Sequence, residues 1–161
     1  MKKGRQQSAS LYVVFVLYMV ALTTMVLFKY GFETGLGSLN FIPFQWITYP
    51  QGMQFKNVFG NITFFVPLGL FLPLMFRKIN VGKTALTGFL LSLFFEIVQY
   101  VTDTGGADVD DLILNTCGVV LGALFFLLLK RLAQDEAKLR RNSLIFVIVF
   151  GVMASAIFLF I

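Results

Sequence analysis

Acidic and amide side chains are concentrated in one otherwise apolar stretch of the sequence, residues 92–122. Five of the eight acidic residues of the chain lie there. Because carboxylates are costly to place in or near a membrane, their presence among leucine, isoleucine, valine and phenylalanine marks this stretch as a candidate functional site. The polar residues of interest are Glu96, Gln99, Asp103, Asp108, Asp110, Asp111 and Asn115.

These side chains suit two kinds of chemistry. A pair of carboxylates can act as general acid and base when their surroundings separate their pKa values, and the candidate pair is Glu96 with Asp108 or Asp111. Carboxylate and amide oxygens could also hold Ca²⁺ or Mg²⁺, although the spacing matches no known metal-binding loop. We therefore predict no cofactor and leave a divalent cation open. The sequence has no histidine and no phosphate-binding loop or dinucleotide-binding turn.

The elements that position these residues are predicted to be membrane-spanning helices. Of the 161 residues, 58% are hydrophobic, which is more apolar surface than a soluble domain of this size can bury. Apolar runs of about 18–20 residues recur, the length that spans a bilayer, and the period-two alternation of a barrel is absent. We predict an all-α integral membrane protein, a small five-helix bundle that forms one domain over residues 1–161. The spans are predicted at 9–28, 57–76, 84–101, 108–129 and 143–161.

A long loop, residues 29–56, separates the first two predicted spans. Its glycines and prolines disfavour helix and strand, and its aromatic residues are of the kind that settle at the headgroup level. We predict a re-entrant or interfacial loop. Pro67 and Pro73 fall inside the second span, where each removes an amide donor, so we expect a kinked or interrupted helix there. The loop aromatics are Phe41, Phe44, Trp46 and Tyr49.

The positions of lysine and arginine predict how the chain crosses the membrane. With five spans, every lysine and arginine except Lys29 and Lys56 falls on one side. The positive-inside rule then places the N-terminus in the cytoplasm and the C-terminus outside, with the long loop and the turn at 102–110 facing outward. The net charge of +5 therefore reflects topology, and we predict no nucleic-acid partner.

The helical period of about 100° per residue groups the polar residues on two faces. One face belongs to the third span and the other to the fourth, and each is small toward the cytoplasm and polar toward the outside. Small residues let helices approach closely, and polar ones hydrogen-bond across the contact. Since the connecting turn is short, we expect antiparallel neighbours. The faces comprise Ala85, Gly88, Ser92, Glu96 and Gln99 on one helix, and Asp108, Asp111, Asn115, Gly118 and Gly122 on the other.

Five sequence segments, in order and with similar spacing, resemble the VanZ-like family of bacterial membrane proteins. The resemblance covers about residues 28–122. It implies a multi-pass protein of the bacterial cytoplasmic membrane with a role in reduced susceptibility to teicoplanin-type lipoglycopeptides, but it implies no particular reaction or substrate. The segments are 38–44, the N-x-x-x-F-x-P-x-G pattern from Asn61 to Gly69, 95–99, 107–111 and 115–118.

Taken together, the residues and the resemblance predict a polar pocket in the outer leaflet. We expect it to bind a lipid-linked cell-wall component or the antibiotic itself, with the lipid bilayer as the surrounding partner and the oligomeric state left open. Three alternatives stay open: a purely structural cluster, a membrane enzyme using Glu96 with Asp108 or Asp111, and a small transporter or flippase. The predicted pocket residues are Asn40, Asn61, Glu96, Gln99, Asp108, Asp111 and Asn115.

Overall fold

The fold is a bundle of long helices. The computed structural model describes residues 2–28, 38–76 and 78–160, with side chains described at 9–28, 38–76 and 78–157. Over these residues, five helices are long and apolar enough to cross a membrane, so the predicted helical, multi-pass architecture is confirmed. The helices are α1 (Lys2–Leu27), α2 (Gln51–Met75), α3 (Val81–Val101), α4 (Val109–Leu132) and α5 (Glu136–Phe160).

Four of the helices begin earlier than the predicted spans, α2 and α5 among them. Helix α2 begins at Gln51 rather than at residue 57, and α5 begins at Glu136 rather than at residue 143. Hydropathy reports the apolar part of a helix, whereas the backbone continues to pair through polar residues at its ends. Pro50 occupies the N-cap of α2, and proline suits the start of a helix because it lacks an amide donor.

The loop before α2 contains a short strand and a 3₁₀ turn. Strand β1 (Leu39–Asn40) pairs in parallel with β2 (Ala107–Asp108), which immediately precedes α4, and the 3₁₀ turn spans Gln45–Thr48. Gly106 contacts Ser38 so closely that a Cβ on residue 106 would collide with the side chain of Ser38. The loop is therefore docked on the α3–α4 turn, a small parallel pairing within an otherwise helical fold. The part of the predicted loop at 29–37 lies outside the described residues.

Helix α2 is the central helix of the bundle. Phe65, Leu70 and Phe71 on it are fully buried. We predicted a kinked or interrupted helix; the helix runs through Pro67 and Pro73 without a break, so the interruption does not occur. Buried prolines are tolerated in membrane helices because neighbouring helices can satisfy or shield the freed backbone groups.

Close glycine contacts bring α2 and α4 together. A Cβ on Gly69, Gly118 or Gly122 would collide with a backbone carbonyl of the facing helix, whereas Gly88 of α3 accommodates the side chain of Val119. The predicted small faces therefore serve two different contacts: Gly88 meets α4 as expected, but the α4 glycines pack on α2 instead of α3. The carbonyls concerned are those of Val119, Ile62 and Val66.

Candidate functional site

A hollow of about 340 Å³ lies at the end of the bundle that carries the α3–α4 turn. We call it the polar hollow. We call the acidic and amide part of its lining the polar wall, and the apolar part, which comes from α1 and α2, the apolar wall. The polar lining is Tyr49, Lys56, Asn57, Asn61, Asp108, Asp111 and Asn115; the remainder is Met25, Val26, Met53, Gly60, Phe64 and Phe65.

Asp111 forms the centre of the polar wall. It lies in the first turn of α4 and is only 7% exposed. Its Oδ1 accepts hydrogen bonds from Nδ2 of Asn61 and, at 3.4 Å, from Nδ2 of Asn57. These two asparagines are four residues apart, so they lie on one face of α2. The predicted proximity of Asn61 and Asp111 is therefore present.

Asn115 lies one turn further along α4 and is 2% exposed. Its Nδ2 donates a hydrogen bond of 2.8 Å to Ser92 Oγ on α3. Among the described residues, no donor reaches Asn115 Oδ1 or Asn57 Oδ1, although both atoms are buried. Buried polar atoms are normally paired, so these two oxygens are unused acceptors that belong to residues lining the hollow.

Asp108 caps α4 and closes one end of the polar wall. Its Oδ1 accepts from the backbone N–H of Asp110 at 2.8 Å and from Asn40 Nδ2 at 3.0 Å. Burial raises the pKa of Asp108 above its ordinary value, and the charges of Asp111 and Asp110 act in the same direction, while the two hydrogen bonds oppose the shift. Asp108 therefore holds its proton more readily than an exposed aspartate does.

Glu96 lies behind the polar wall instead of on it. It is 4% exposed, and its Oε2 accepts from the backbone N–H of Asp108 at 2.8 Å. Gln99 is buried on the same face of α3, where its Nε2 donates to Val26 O of α1 at 3.1 Å. Of the predicted pocket residues that the structure describes, Glu96, Gln99 and Asn40 do not line the polar hollow. Their contacts hold the neighbouring elements in place.

Asp110 has a role that the sequence did not reveal. Its side chain is 2% exposed, and its carboxylate accepts from the backbone N–H of Phe44 and, at 3.2 Å, from that of Trp46. It therefore fastens the loop before α2 to the start of α4. The sequence signal was limited to an acid in the first turn of a helix, where the dipole favours negative charge, and backbone partners leave no trace in a sequence.

The arrangement favours binding by hydrogen bonds and charge. Among the described residues, no three side chains of His, Cys, Asp or Glu are grouped so as to hold a metal ion. General acid–base catalysis requires a side chain within hydrogen-bonding reach of the substrate, and in the polar hollow that position belongs to Asp108 and Asp111. Glu96 is placed to orient Asp108.

The fold and the hollow define a multi-pass helical membrane protein with a polar site near one end of the bundle. Residues 15–130 match the model of the VanZ/LLP1 family, so the chain belongs to that family, and the resemblance drawn from the five sequence segments is confirmed. The chain is 35% identical over 112 residues to "Protein VanZ" of Enterococcus faecium, with 66% of this chain and 66% of that protein covered. No solved structure matches the chain.

Proposed function

We propose that this protein is a cell-envelope protein of the bacterial cytoplasmic membrane that reduces susceptibility to teicoplanin-type lipoglycopeptides. It would do so by binding the antibiotic or a lipid-linked wall component in the polar hollow. The proposal is supported by membership of the VanZ/LLP1 family and by the similarity to the Enterococcus protein. The observation that carries it is a hollow of about 340 Å³ with an acidic and amide wall beside an apolar one.

The two walls suit an amphiphilic ligand. A polar head group can meet Asp111 and Asn115, while an acyl chain follows Met53 and Phe64 toward the lipid. Ligand sites are commonly concave, about 300–1,000 Å³ in volume, and mostly apolar with a few oriented polar groups. The hollow is at the small end of this range, which suits one head group and the first part of a chain.

The orientation proposed from the positive-inside rule places the hollow at the outer surface. Teicoplanin-type antibiotics bear an acyl tail, and wall precursors carry their polar part on a lipid at that same surface. In this proposal Asp111 supplies charge to the site, and Glu96 positions Asp108 through its backbone N–H.

Teicoplanin susceptibility of cells that express variants tests this function. We expect Asp111→Asn and Glu96→Ala to restore susceptibility, because the first removes the charge of the polar wall and the second releases the start of α4. Asp103→Asn is the matched control, since Asp103 is exposed on the α3–α4 turn and asparagine tolerates its positive φ of 58°. Membrane levels of each variant are measured in parallel. If Asp111→Asn and Glu96→Ala both protect cells as well as the parent protein does, the hollow does not carry the function.

A membrane enzyme is the second candidate, because the carboxyl groups of Asp108 and Asp111 both belong to residues that line the hollow. The substrate would be an envelope lipid or glycan, with Asp108 and Asp111 as acid and base and with Glu96 positioning Asp108 through its backbone N–H. Turnover by the purified protein in liposomes, with a pH profile that changes in Glu96→Gln, would support this candidate. A pH profile identical to that of the parent would show that Glu96 does not influence the acid and the base.

A further inference from the structure

The chemistry of the polar hollow indicates which class of ligand it binds, and this inference rests on the proposed function of the same site. We infer that the wall formed by Asp111, Asn115 and Asn57 receives a protonated primary amine carried on an apolar chain. The unpaired atoms of the polar wall, its charge and the apolar lining of the hollow support this inference.

The unpaired atoms of the wall are acceptors. The Nδ2 groups of Asn57 and Asn61 already donate to Asp111, and that of Asn115 donates to Ser92. What these amides leave for a ligand is oxygen: Oδ1 of Asn115 and Oδ1 of Asn57, both buried and without a protein donor among the described residues. A buried acceptor without a donor is costly, so a ligand that brings several N–H donors is favoured over one that brings only acceptors.

The wall also carries negative charge. Asp108 and Asp111 both line the hollow, and their carboxylates lie close to an apolar environment where opposite charges attract strongly. A primary ammonium group has three donors in a compact volume, which equals the number of acceptors offered by Asp111 and the two asparagine oxygens. A phosphate or carboxylate would meet like charge and acceptors instead.

Lys56 is the basic residue of the described lining, and its side chain is exposed. A positive charge on Lys56 disfavours a second cation in the same hollow, but contact with water largely screens this repulsion. Lys56 therefore provides a variant with an effect opposite in sign to that of Asp111.

The apolar wall selects an amine attached to a chain. Met25, Met53 and Phe64 are lining residues, and Met25 and Met53 are exposed. A bare ammonium ion would leave this surface in contact with water, whereas an alkyl chain would cover it. Each methylene that is buried against this surface adds to the affinity, so an amine with a longer chain should bind more tightly.

The test is calorimetric titration of the full chain in nanodiscs of phosphatidylcholine, with empty nanodiscs subtracted. The probes are hexylammonium, hexanol and hexyl phosphate, which share one chain and differ in head group. We expect hexylammonium to bind at least about tenfold more tightly than either other probe, since a charged hydrogen bond contributes about 1.5–3 kcal/mol and 1.4 kcal/mol is tenfold.

Variants then assign the site. Asp111→Asn should weaken hexylammonium binding at least about tenfold, Lys56→Gln should leave it unchanged or tighten it, and Asp103→Asn should leave it unchanged. If Asp111→Asn does not fold, Asn57→Ala serves in its place, because Asn61 still donates to Asp111 when Asn57 is removed. Asn57→Ala should weaken binding several-fold. Equal affinity for hexanol or hexyl phosphate, or full hexylammonium affinity in the folded hollow variants, would overturn the inference.

Failure of this inference is distinguishable from failure of the proposed function. If the hollow prefers a neutral or anionic probe while its variants still alter teicoplanin susceptibility, the amine inference is refuted and the proposed function stands. If the hollow selects the amine but its variants leave susceptibility unchanged, the amine inference stands and the proposed function is refuted.

Discussion

The hydrogen bonds by which Asp110 holds the loop before α2 lead to a specific prediction. Asp110→Asn keeps the shape of the side chain but replaces one acceptor oxygen with an NH₂ group. In the parent protein the two carboxylate oxygens accept separately from the backbone N–H groups of Phe44 and Trp46. The variant can keep one of these bonds, and one backbone N–H loses its partner.

The size of the effect follows from the kind of bond that is lost. A hydrogen bond to a charged group contributes about 1.5–3 kcal/mol, and the negative charge in the first turn of α4 contributes about 0.3–1 kcal/mol more. The lower sum, about 2 kcal/mol, corresponds to a factor of roughly 30 in the opening equilibrium of the loop, since each 1.4 kcal/mol is tenfold. We therefore expect hydrogen exchange in residues 38–50 to accelerate by between tenfold and several hundredfold.

Hydrogen–deuterium exchange of the detergent-solubilised protein measures this directly. The amides of Phe44 and Trp46 should lose protection in Asp110→Asn, while the core of α2 around Leu70 should keep it. Trp46 is the one tryptophan of the chain, so its fluorescence provides a second readout of loop release. Unchanged protection at both amides in Asp110→Asn would show that the carboxylate does not hold the loop, and the reasoning would be refuted.

Two further predictions concern helix packing and pH. Gly122→Ala should destabilise the bundle by several kcal/mol, because a Cβ at Gly122 meets the carbonyl of Val66. Gly151→Ala is the control: a Cβ there has no atom within 4 Å, so this variant should be neutral or slightly stabilising. Equal melting temperatures of the two variants would contradict the close contact. The pKa of Asp108 is raised above 3.8 in the folded protein. The stability that protonated Asp108 contributes is therefore complete below pH 3.8 and is lost as the pH rises through the pKa of the folded protein. Asp108→Asn remains neutral and can still cap α4, so this variant should lose less stability than the parent protein over the same pH range. Parallel curves of melting temperature against pH for the two proteins would contradict the raised pKa.

Much of the helical framework could be predicted because its causes are local. Apolar runs of spanning length fix where helices cross, and the period of 3.6 residues fixes which side chains share a face. This is why Asp111 and Asn115 were expected on one wall and were found together. The same logic placed Asn61 near them, because it lies toward the same end of the neighbouring span.

The parts of the fold and of the site that could not be predicted depend on contacts between segments that are distant in the sequence. The small face of α4 was predictable, but whether Gly118 and Gly122 would face α2 or α3 was not, because a face does not specify its neighbour. Asp110 bonds to backbone N–H groups of the loop, and every residue except proline carries such a group. Glu96 was expected in the pocket; the structure places it behind the wall because its acceptor is used by the N–H at the start of α4.

The most direct measurement is chemical labelling of the polar hollow from outside intact cells. Two variants are made in a Cys117→Ser background. Phe64→Cys places the thiol at a residue that lines the hollow, and Leu70→Cys places it at a residue that is fully buried on the same helix. The reagent is a membrane-impermeant, positively charged methanethiosulfonate. We predict that the cysteine at 64 is labelled from outside, that hexylammonium slows its labelling, and that the cysteine at 70 is not labelled. If the cysteine at 64 reacts only after the cells are opened, or does not react at all, the hollow is not an outward-facing site.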